Sequence, residues 1–533
     1  MNTSPHASLY WQHLQQVCPS IDPATLSHLH TALDATNWDE PESPLDWNNY
    51  GVIALIEAEH TTDPDLRGLY METAIAAFEN GADAHPLCAA HLALAHCLIG
   101  ETEKALQIAF PALINVLQPA FAEQTTAPGL IYVPVLWQEP RSHESEGSCR
   151  LWTATNAFQQ SVLLLGKIVW RSQAVFYNAT GRRLLQVAAQ LLPDSAAVHL
   201  RLGLANLISD QWEGLIHLQR AHQLAPNHSP ILQALYLAYQ TLQQPTAAAT
   251  WLETAHALHQ QHPDAIEWQW AKLALDSSTT CVPFEDNLLL VVEPSFHSIV
   301  TSVLLGAGDW FEREMEFWRS AIQPGMTVID VGANVGVYTF SAAAQVGASG
   351  RVLAIEPFSG CVQCLQETCR LNQFDWVTVC QGAASDYNGI ARLSLQSASE
   401  MNQIVTAETD GATPNGAFED VACFSLDSLM KQEKLTQVDF LKIDAEGHEL
   451  QVLQGSDRLL TEFAPVIMYE NISGNQDSNS PVANFLNANG YQLFRYQPYL
   501  QTLVAIESVE DLQGNLNIIA VPLNKVATFG LRK

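Results

Sequence analysis

The chain has 533 residues, 47% of them hydrophobic and 15% charged, which excludes a single small module and a disordered chain. Asp and Glu number 56 against 24 Lys and Arg, a formal net charge of -32, and residues 1–50 hold no Lys or Arg. Such a field repels phosphate backbones and argues against nucleic acid or an anionic membrane as a direct partner.

The chain begins Met1-Asn2-Thr3-Ser4-Pro5-His6 with no basic stretch leading into an apolar core, so no secretory leader is expected and the expected compartment is the cytoplasm. The most apolar stretch, Leu288 to Leu305, is interrupted by Glu293, Pro294 and His297, and no membrane span is expected. Ten cysteines in a chain of this length fit reduced thiols.

From residue 1 to about 276 apolar residues recur at three and four positions, as in Leu200, Leu204, Leu207 and Ile208, which predicts helices. Residues 1–117 read as helical with a loose repeat character. Residues 118–149, with Pro119, Pro128, Pro134 and Pro140, break the pattern and read as a loop or insertion. Within 150–276 a period of 34 joins Ala205 to Tyr239, Gly214 to Ala248, Leu218 to Leu252 and Ala221 to Ala255. Small residues at that period suit the crossing of paired helices, and the stretch Ser195–Gln260 resembles tetratricopeptide repeats. That resemblance implies a solenoid whose concave face binds a protein partner or the acceptor. Sixteen of the 18 histidines precede Cys281. Their spacings, as in His85, His91, His96, His256, His259 and His262, converge on no single ion, so solvated surface histidines are expected.

Near Thr279 short β-rich runs begin, Asn287–Val292 and Ile299–Leu305, and residues 277–323 read as a β/α lead-in to a domain at 324–525. There a buried strand, Thr327–Val331, enters the turn Gly332-Ala333-Asn334-Val335-Gly336, followed by a helix, Val337–Val346, a second strand, Arg351–Ile355, and Glu356 at its end. Strand, glycine turn, helix, strand and acid form half of a doubly wound nucleotide-binding sheet. A dinucleotide turn wants G-x-G-x-x-G, which is absent, so a nicotinamide oxidoreductase is disfavoured. Asp330 ahead of the turn repels a pyrophosphate and suits a ligand carrying an amine, such as S-adenosylmethionine, while Glu356 stands where ribose hydroxyls are met.

Further along come Leu441-Lys442-Ile443-Asp444-Ala445-Glu446-Gly447-His448-Glu449, Ser425-Leu426-Asp427-Ser428-Leu429 before it and Pro465-Val466-Ile467-Met468-Tyr469-Glu470 after it. With the glycine turn, these segments resemble the FkbM-type family of S-adenosylmethionine-dependent methyltransferases over roughly Gly308–Pro522. The resemblance implies a Rossmann-like class I methyltransferase domain of α/β doubly wound type, behind an all-α repeat region. It implies methylation of a hydroxyl on a sugar, glycolipid or natural product, so that the partners are a hydroxyl-bearing small molecule, glycan or lipid. The alternative is an interaction scaffold whose methyltransferase-like fold is not catalytic.

Asp330, Gly332, Asn334, Gly336 and Glu356 are the expected cofactor residues, and by resemblance Ala383, with Asp386, lies near the adenine. Asp444, Glu446 and His448 are the candidates for the base that takes the hydroxyl proton. Asp444, Glu446 and Glu470, at the ends of neighbouring strands, suit a Mg²⁺ or Ca²⁺, although no metal site is predicted. Lys442 receives no chemical role. Cys361 and Cys364 read as two core thiols on one face of a helix, and Gln396–Glu419 as a mobile loop over the acceptor. Tyr491–Tyr496 and Leu516–Val521 read as an antiparallel pair closing the sheet.

Overall fold

A computed structural model describes residues 4–116, 127–135, 151–154, 156–171, 179–191, 193–273, 278–285, 287–396, 398–405, 417–471, 478–498 and 501–529. It packs as two compact units. One comprises Met1–Leu202, Arg220–Pro226 and Pro498–Thr502; the other comprises Gly203–Gln219, Asn227–Gln497 and Leu503–Lys533.

The first unit is helical. Helices Pro5–Val17, Pro44–His60 and Pro64–Gly81 each open on proline behind a side-chain cap, Ser4, Ser43 and Asp63 in turn, and Ser43 with Asp46 closes a capping box. Helices Pro86–Leu98, Thr102–Val116, Ala157–Arg171 and Ala179–Leu191 follow. Of the expected loop 118–149 only residues 127–135 are described, and Leu130, Ile131, Tyr132 and Val133, outside any helix or strand, are at most 1% exposed.

A buried segment of this kind has no ladder to satisfy its amides, so side chains do it. Gly129 exchanges both backbone bonds with the Gln160 amide, Leu130 N–H donates to Asn49 and its carbonyl accepts from Asn48, Ile131 N–H donates to the Tyr10 hydroxyl, and Tyr132 N–H donates to His91. His13 Nε2 meets the Val133 carbonyl at 3.1 Å. This corrects the expectation of solvated histidines: His13, His85, His91 and His96 are buried, because imidazole supplies donors and acceptors that an apolar core lacks. Cys18 is disulfide-bonded, so reduced thiols hold for Cys88, Cys97, Cys281, Cys361, Cys364, Cys369, Cys380 and Cys423 but not there.

In the second unit, Gly203 and Gly214 mark a close approach: a Cβ on Gly214 would stand 2.4 Å from the Gly203 carbonyl oxygen. Helices Ser229–Thr241 and Pro245–Gln261 come next, with Ala234, Ala238, Ala248 and Ala255 fully buried. A hairpin of β1 (Thr280–Phe284) and β2 (Leu288–Val292) follows. Ile299–Ala307, expected as a strand in part, is a helix capped by Ser298 and ended by Gly308 at φ 73°. It is buried on every side, so its sequence shows no one-sided period, and a short apolar run of Val and Leu reads equally as a core strand.

The main sheet contains β3 (Thr327–Val331), β4 (Arg351–Glu356), β5 (Val377–Gln381), β10 (Phe440–Ile443), β11 (Val466–Glu470), β12 (Tyr491–Gln497), β13 (Thr502–Ala505) and β14 (Asn517–Pro522). A smaller sheet contains β6 (Ala383–Ala384), β7 (Gly389–Leu395), β8 (Gln403–Ile404) and β9 (Ala417–Phe424) in the order β6-β9-β7-β8. The main order is β13-β12-β14-β11-β10-β3-β4-β5, parallel from β11 to β5, with β14 antiparallel to both β11 and β12. This is an α/β methyltransferase-like fold. The order reverses between β3 and β10, and the carboxyl ends of strands at such a reversal are where ligand crevices form in doubly wound sheets. Part of the expected loop Gln396–Glu419 is built into the small sheet as β8 and the start of β9; residues 406–416 lie outside the described ones.

Candidate functional site

The site begins where β3 and β10 end side by side, Val331 abreast of Ile443. Asp444 N–H donates to the Val331 carbonyl at 3.0 Å, which brings the Asp444 carbonyl over Gly332. A Cβ on Gly332 would sit 1.6 Å from that carbonyl oxygen, and its φ is 75°, so only glycine fits. Gly332 and Ala333 N–H groups donate to the Ile355 carbonyl, turning the chain towards the helix Val337–Val346.

Two carboxylates flank this turn. Asp330, 2% exposed, accepts from the Thr339 hydroxyl at 2.6 Å; burial pushes its carboxyl up to about 6, against that bond and the Lys442 charge, which lower it. Glu356, 6% exposed, accepts from the Phe358 and Asn334 N–H groups at 2.8 Å each, and burial raises it to about 7 in spite of them. Asn334 holds φ 49° with its own Oδ1 accepting from Val335 N–H at 2.8 Å.

Across the crevice, Ala445-Glu446-Gly447-His448 turns through two left-handed residues, Glu446 at φ 49° and Gly447 at φ 92°. Glu449, 1% exposed, holds the turn by accepting from Ala445 and Gly447 N–H groups at 3.0 Å each and from Asn479 Nδ2 at 3.1 Å. The turn leaves a Glu446 carboxyl oxygen close to those of Asp444 and Glu470. Parallel pairing sets Ile443 abreast of Tyr469, so the next residues, Asp444 and Glu470, are neighbours. One oxygen from each of Asp444, Glu446 and Glu470 lies within 4.8 Å of the other two, an oxygen set of the kind a hard divalent cation accepts. Burial, then the Asp444 and Glu446 charges, hold Glu470 far above the usual carboxylate range.

Lys442, 0% exposed, is the cation inside this group: Nζ donates to Asp444 Oδ2 and Asn517 Oδ1 at 3.0 Å each and stands 5.0 Å from the Tyr338 ring centroid. Asn517 Nδ2 donates to Glu312 Oε2 at 2.7 Å, and the Tyr338 hydroxyl donates to the same oxygen at 2.5 Å. The Asp444 and Glu312 charges outweigh the burial of the ammonium and keep Lys442 protonated. One lysine thus faces four carboxyl groups, Glu312, Asp330, Asp444 and Glu470, more acids than a single ammonium balances.

His448 is bonded to Ser385. Its Nε2 meets the Ser385 hydroxyl at 2.9 Å, the same hydroxyl lies 3.1 Å from Asp386 Oδ1, and burial lowers the imidazole pKa. Ala383, 5% exposed, is in β6 and Asp386 follows it. Cys361 and Cys364 are both buried in the helix Ser359–Asn372, as two core thiols on one face would be. The sequence gives Lys442 no chemical role beyond pairing with a neighbouring acid, which Asp444 supplies, and marks none of Glu312, Tyr338 and Asn517. The signal available was Lys442 itself, a charge in the middle of a buried strand, which demands partners.

Residues 330–493 match the family model of the methyltransferase FkbM domain. Methyl transfer is therefore the chemistry assigned to this part of the chain. Among solved structures the chain is similar to methyltransferase FkbM from Methylobacillus flagellatus KT, at 17% identity and a TM-score of 0.26 over 42% of this chain and 53% of that one. It is also similar to precorrin-6y C5,15-methyltransferase from Geobacter metallireducens GS-15, at 13% identity and a TM-score of 0.22 over 39% and 85%. A third, MamA AMB-1, has 14% identity and a TM-score of 0.26 over 42% and 93%. The chain thus spans about half the length of the first of these. No curated protein matches the chain.

Proposed function

We propose that this protein is an S-adenosylmethionine-dependent O-methyltransferase acting on a hydroxyl of a sugar, glycolipid or natural product. The observation that carries the reading is the pairing of the Gly332 turn with Asp330 and Glu356 on one side and an acid-rich group around Lys442 on the other. S-adenosylmethionine has an ammonium, a sulfonium and a ribose diol. Asp330 and its neighbours suit the cationic centres, and Glu356, whose two oxygens are already aimed by backbone N–H groups, suits the diol. When bound, the cofactor would supply an electrophilic methyl group.

What the chain adds is placement and a proton acceptor. We assign the acceptor to the carboxyl cluster of Asp444, Glu446 and Glu470, with Glu446 as the member carried on the left-handed turn. His448 is assigned a supporting role through Ser385, since its Nε2 is already engaged. Ala383 and Asp386 are assigned to the adenine side. The helical repeats before residue 276 are assigned to holding the acceptor or a protein partner, as a solenoid. Among the described residues no helix is long and apolar enough to cross a membrane.

The test is transfer of labelled methyl from S-adenosylmethionine to a panel of glycan and lipid hydroxyls. Glu446→Gln is expected to lower kcat by about 100-fold or more, and His448→Ala by less than about tenfold. The reverse order would move the base to His448. Loss of labelling in Asp330→Ala and Glu356→Ala is expected; labelling unchanged in both would remove the cofactor assignment.

A further inference from the structure

Asn334 is gripped from two directions. Its backbone N–H donates to Glu356 Oε2 at 2.8 Å, and its Nδ2 donates to Ser399 Oγ at 3.3 Å. Ser399 in turn donates to Glu293 Oε2 at 2.5 Å, the short distance of a hydroxyl bonded to a carboxylate. With its proton committed to Glu293, the Ser399 oxygen is left as an acceptor, which fixes the Asn334 amide with its nitrogen outward and its Oδ1 on Val335 N–H.

Glu293 is itself anchored. It directly follows β2, and its carbonyl accepts from Thr301 Oγ1 at 2.7 Å. Glu400, beside Ser399, accepts from Ser298 Oγ at 3.0 Å and Val300 N–H at 3.1 Å, so two adjacent residues pin the 399–401 turn to the hairpin and the helix after it. The Glu293 charge also contributes to the raised pKa of Glu356, as two neighbouring carboxylates require. The hairpin lies before residue 330, outside the segment that matches the methyltransferase domain.

We propose that Glu293 and Ser399 are positioning residues for ribose recognition: the chain Glu293–Ser399–Asn334 fixes the orientation in which Glu356 accepts a nucleoside's vicinal diol. The lead-in hairpin is then a working part of the nucleoside site. This rests on the reading of the site as one for S-adenosylmethionine.

The experiment is calorimetric titration of the full chain with S-adenosylhomocysteine and with its 2′-deoxy analogue, for the native protein, Ser399→Ala, Glu293→Ala and Glu293→Gln. The native protein is expected to prefer the ribose form. In Ser399→Ala and Glu293→Ala, affinity for S-adenosylhomocysteine is expected to fall about tenfold while the deoxy analogue binds within about twofold of native, so the preference collapses. Glu293→Gln, which keeps an acceptor oxygen, is expected to retain most of it. Equal losses for both ligands, or no loss for either, overturn the proposal while leaving the cofactor reading intact. If Glu293→Ala does not fold, Ser399→Ala decides alone. A native protein that binds neither ligand overturns the cofactor reading and this proposal with it.

Discussion

A single methyl group on Gly332 would collide with the Asp444 carbonyl oxygen 1.6 Å away and also strain a left-handed backbone. Gly332→Ala is expected to cost more than about 3 kcal/mol of stability in denaturant unfolding, because the atoms met are Asp444 backbone, which cannot swing aside as a side chain would. Lys442 is the second single-residue lever. Lys442→Met leaves Asp444 and its acid neighbours without their buried cation and is expected to cost about 3–5 kcal/mol at neutral pH. The sign follows from the acids. Asp330 stands near 6 in the folded state, and losing Lys442, whose charge lowers it, raises it further. A raised carboxyl penalises the fold only once the unfolded chain would ionise. The cost of the substitution should therefore be small at pH 4 and grow as pH rises; a pH-independent cost would contradict this charge account. The residues legible in the sequence were those whose chemistry is local, Asp330, Gly332, Asn334, Gly336 and Glu356, since an acid and two glycines around one turn explain each other. Glu312, Tyr338, Asn517, Glu293 and Ser399 were not legible, because each acts through a partner far along the chain and has no neighbours in sequence that mark it.

At the scale of elements, the segment 129–135 and the histidines that bind it predict acid sensitivity of the first unit. Burial lowers His13 and His85 to about 4 and His91 to about 3. His91 is neutral by geometry as well, with Nδ1 bonded to Asn48 Oδ1 at 2.8 Å and Nε2 accepting from Tyr132 N–H. These folded values lie below the unfolded value near 6.5, so their contribution is complete above pH 6.5 and is lost as pH falls towards 4. At pH 5 each costs roughly 2 kcal/mol. Helical circular dichroism is expected to melt at a lower temperature at pH 5 than at pH 7.5, with a smaller difference in His91→Gln; equal melting at both would contradict the buried, neutral assignment. The helices and most strands were readable from period and punctuation: Thr327–Val331 and Val337–Val346 appear with the bounds the sequence suggested. Two kinds of element were not. Ile299–Ala307 is buried all round and shows no face, and the 129–135 segment is ordered by side chains from four distant helices, which no local pattern encodes.

For the molecule as a whole the formal net charge is -32, and two of its acids, Asp330 and Glu356, are buried beside the Gly332 turn. Asp330 near 6 and Glu356 near 7 are expected to bind protons just below neutral pH, and a ligand that needs both as carboxylates must expel them. Affinity for S-adenosylhomocysteine should therefore weaken as pH falls from 7.5 to 5.5, with proton release on binding near pH 6.5 detectable by titrating in buffers of different ionisation enthalpy. The central claim is that the crevice between β3 and β10 holds S-adenosylmethionine. It is tested most directly by isothermal titration of the full-length chain with S-adenosylhomocysteine, which lacks the reactive methyl and needs no acceptor. The account predicts one-to-one binding at about micromolar Kd, lost in Glu356→Ala. A folded sample that gives no heat at millimolar ligand would contradict it and leave an interaction scaffold with a non-catalytic fold as the reading to pursue.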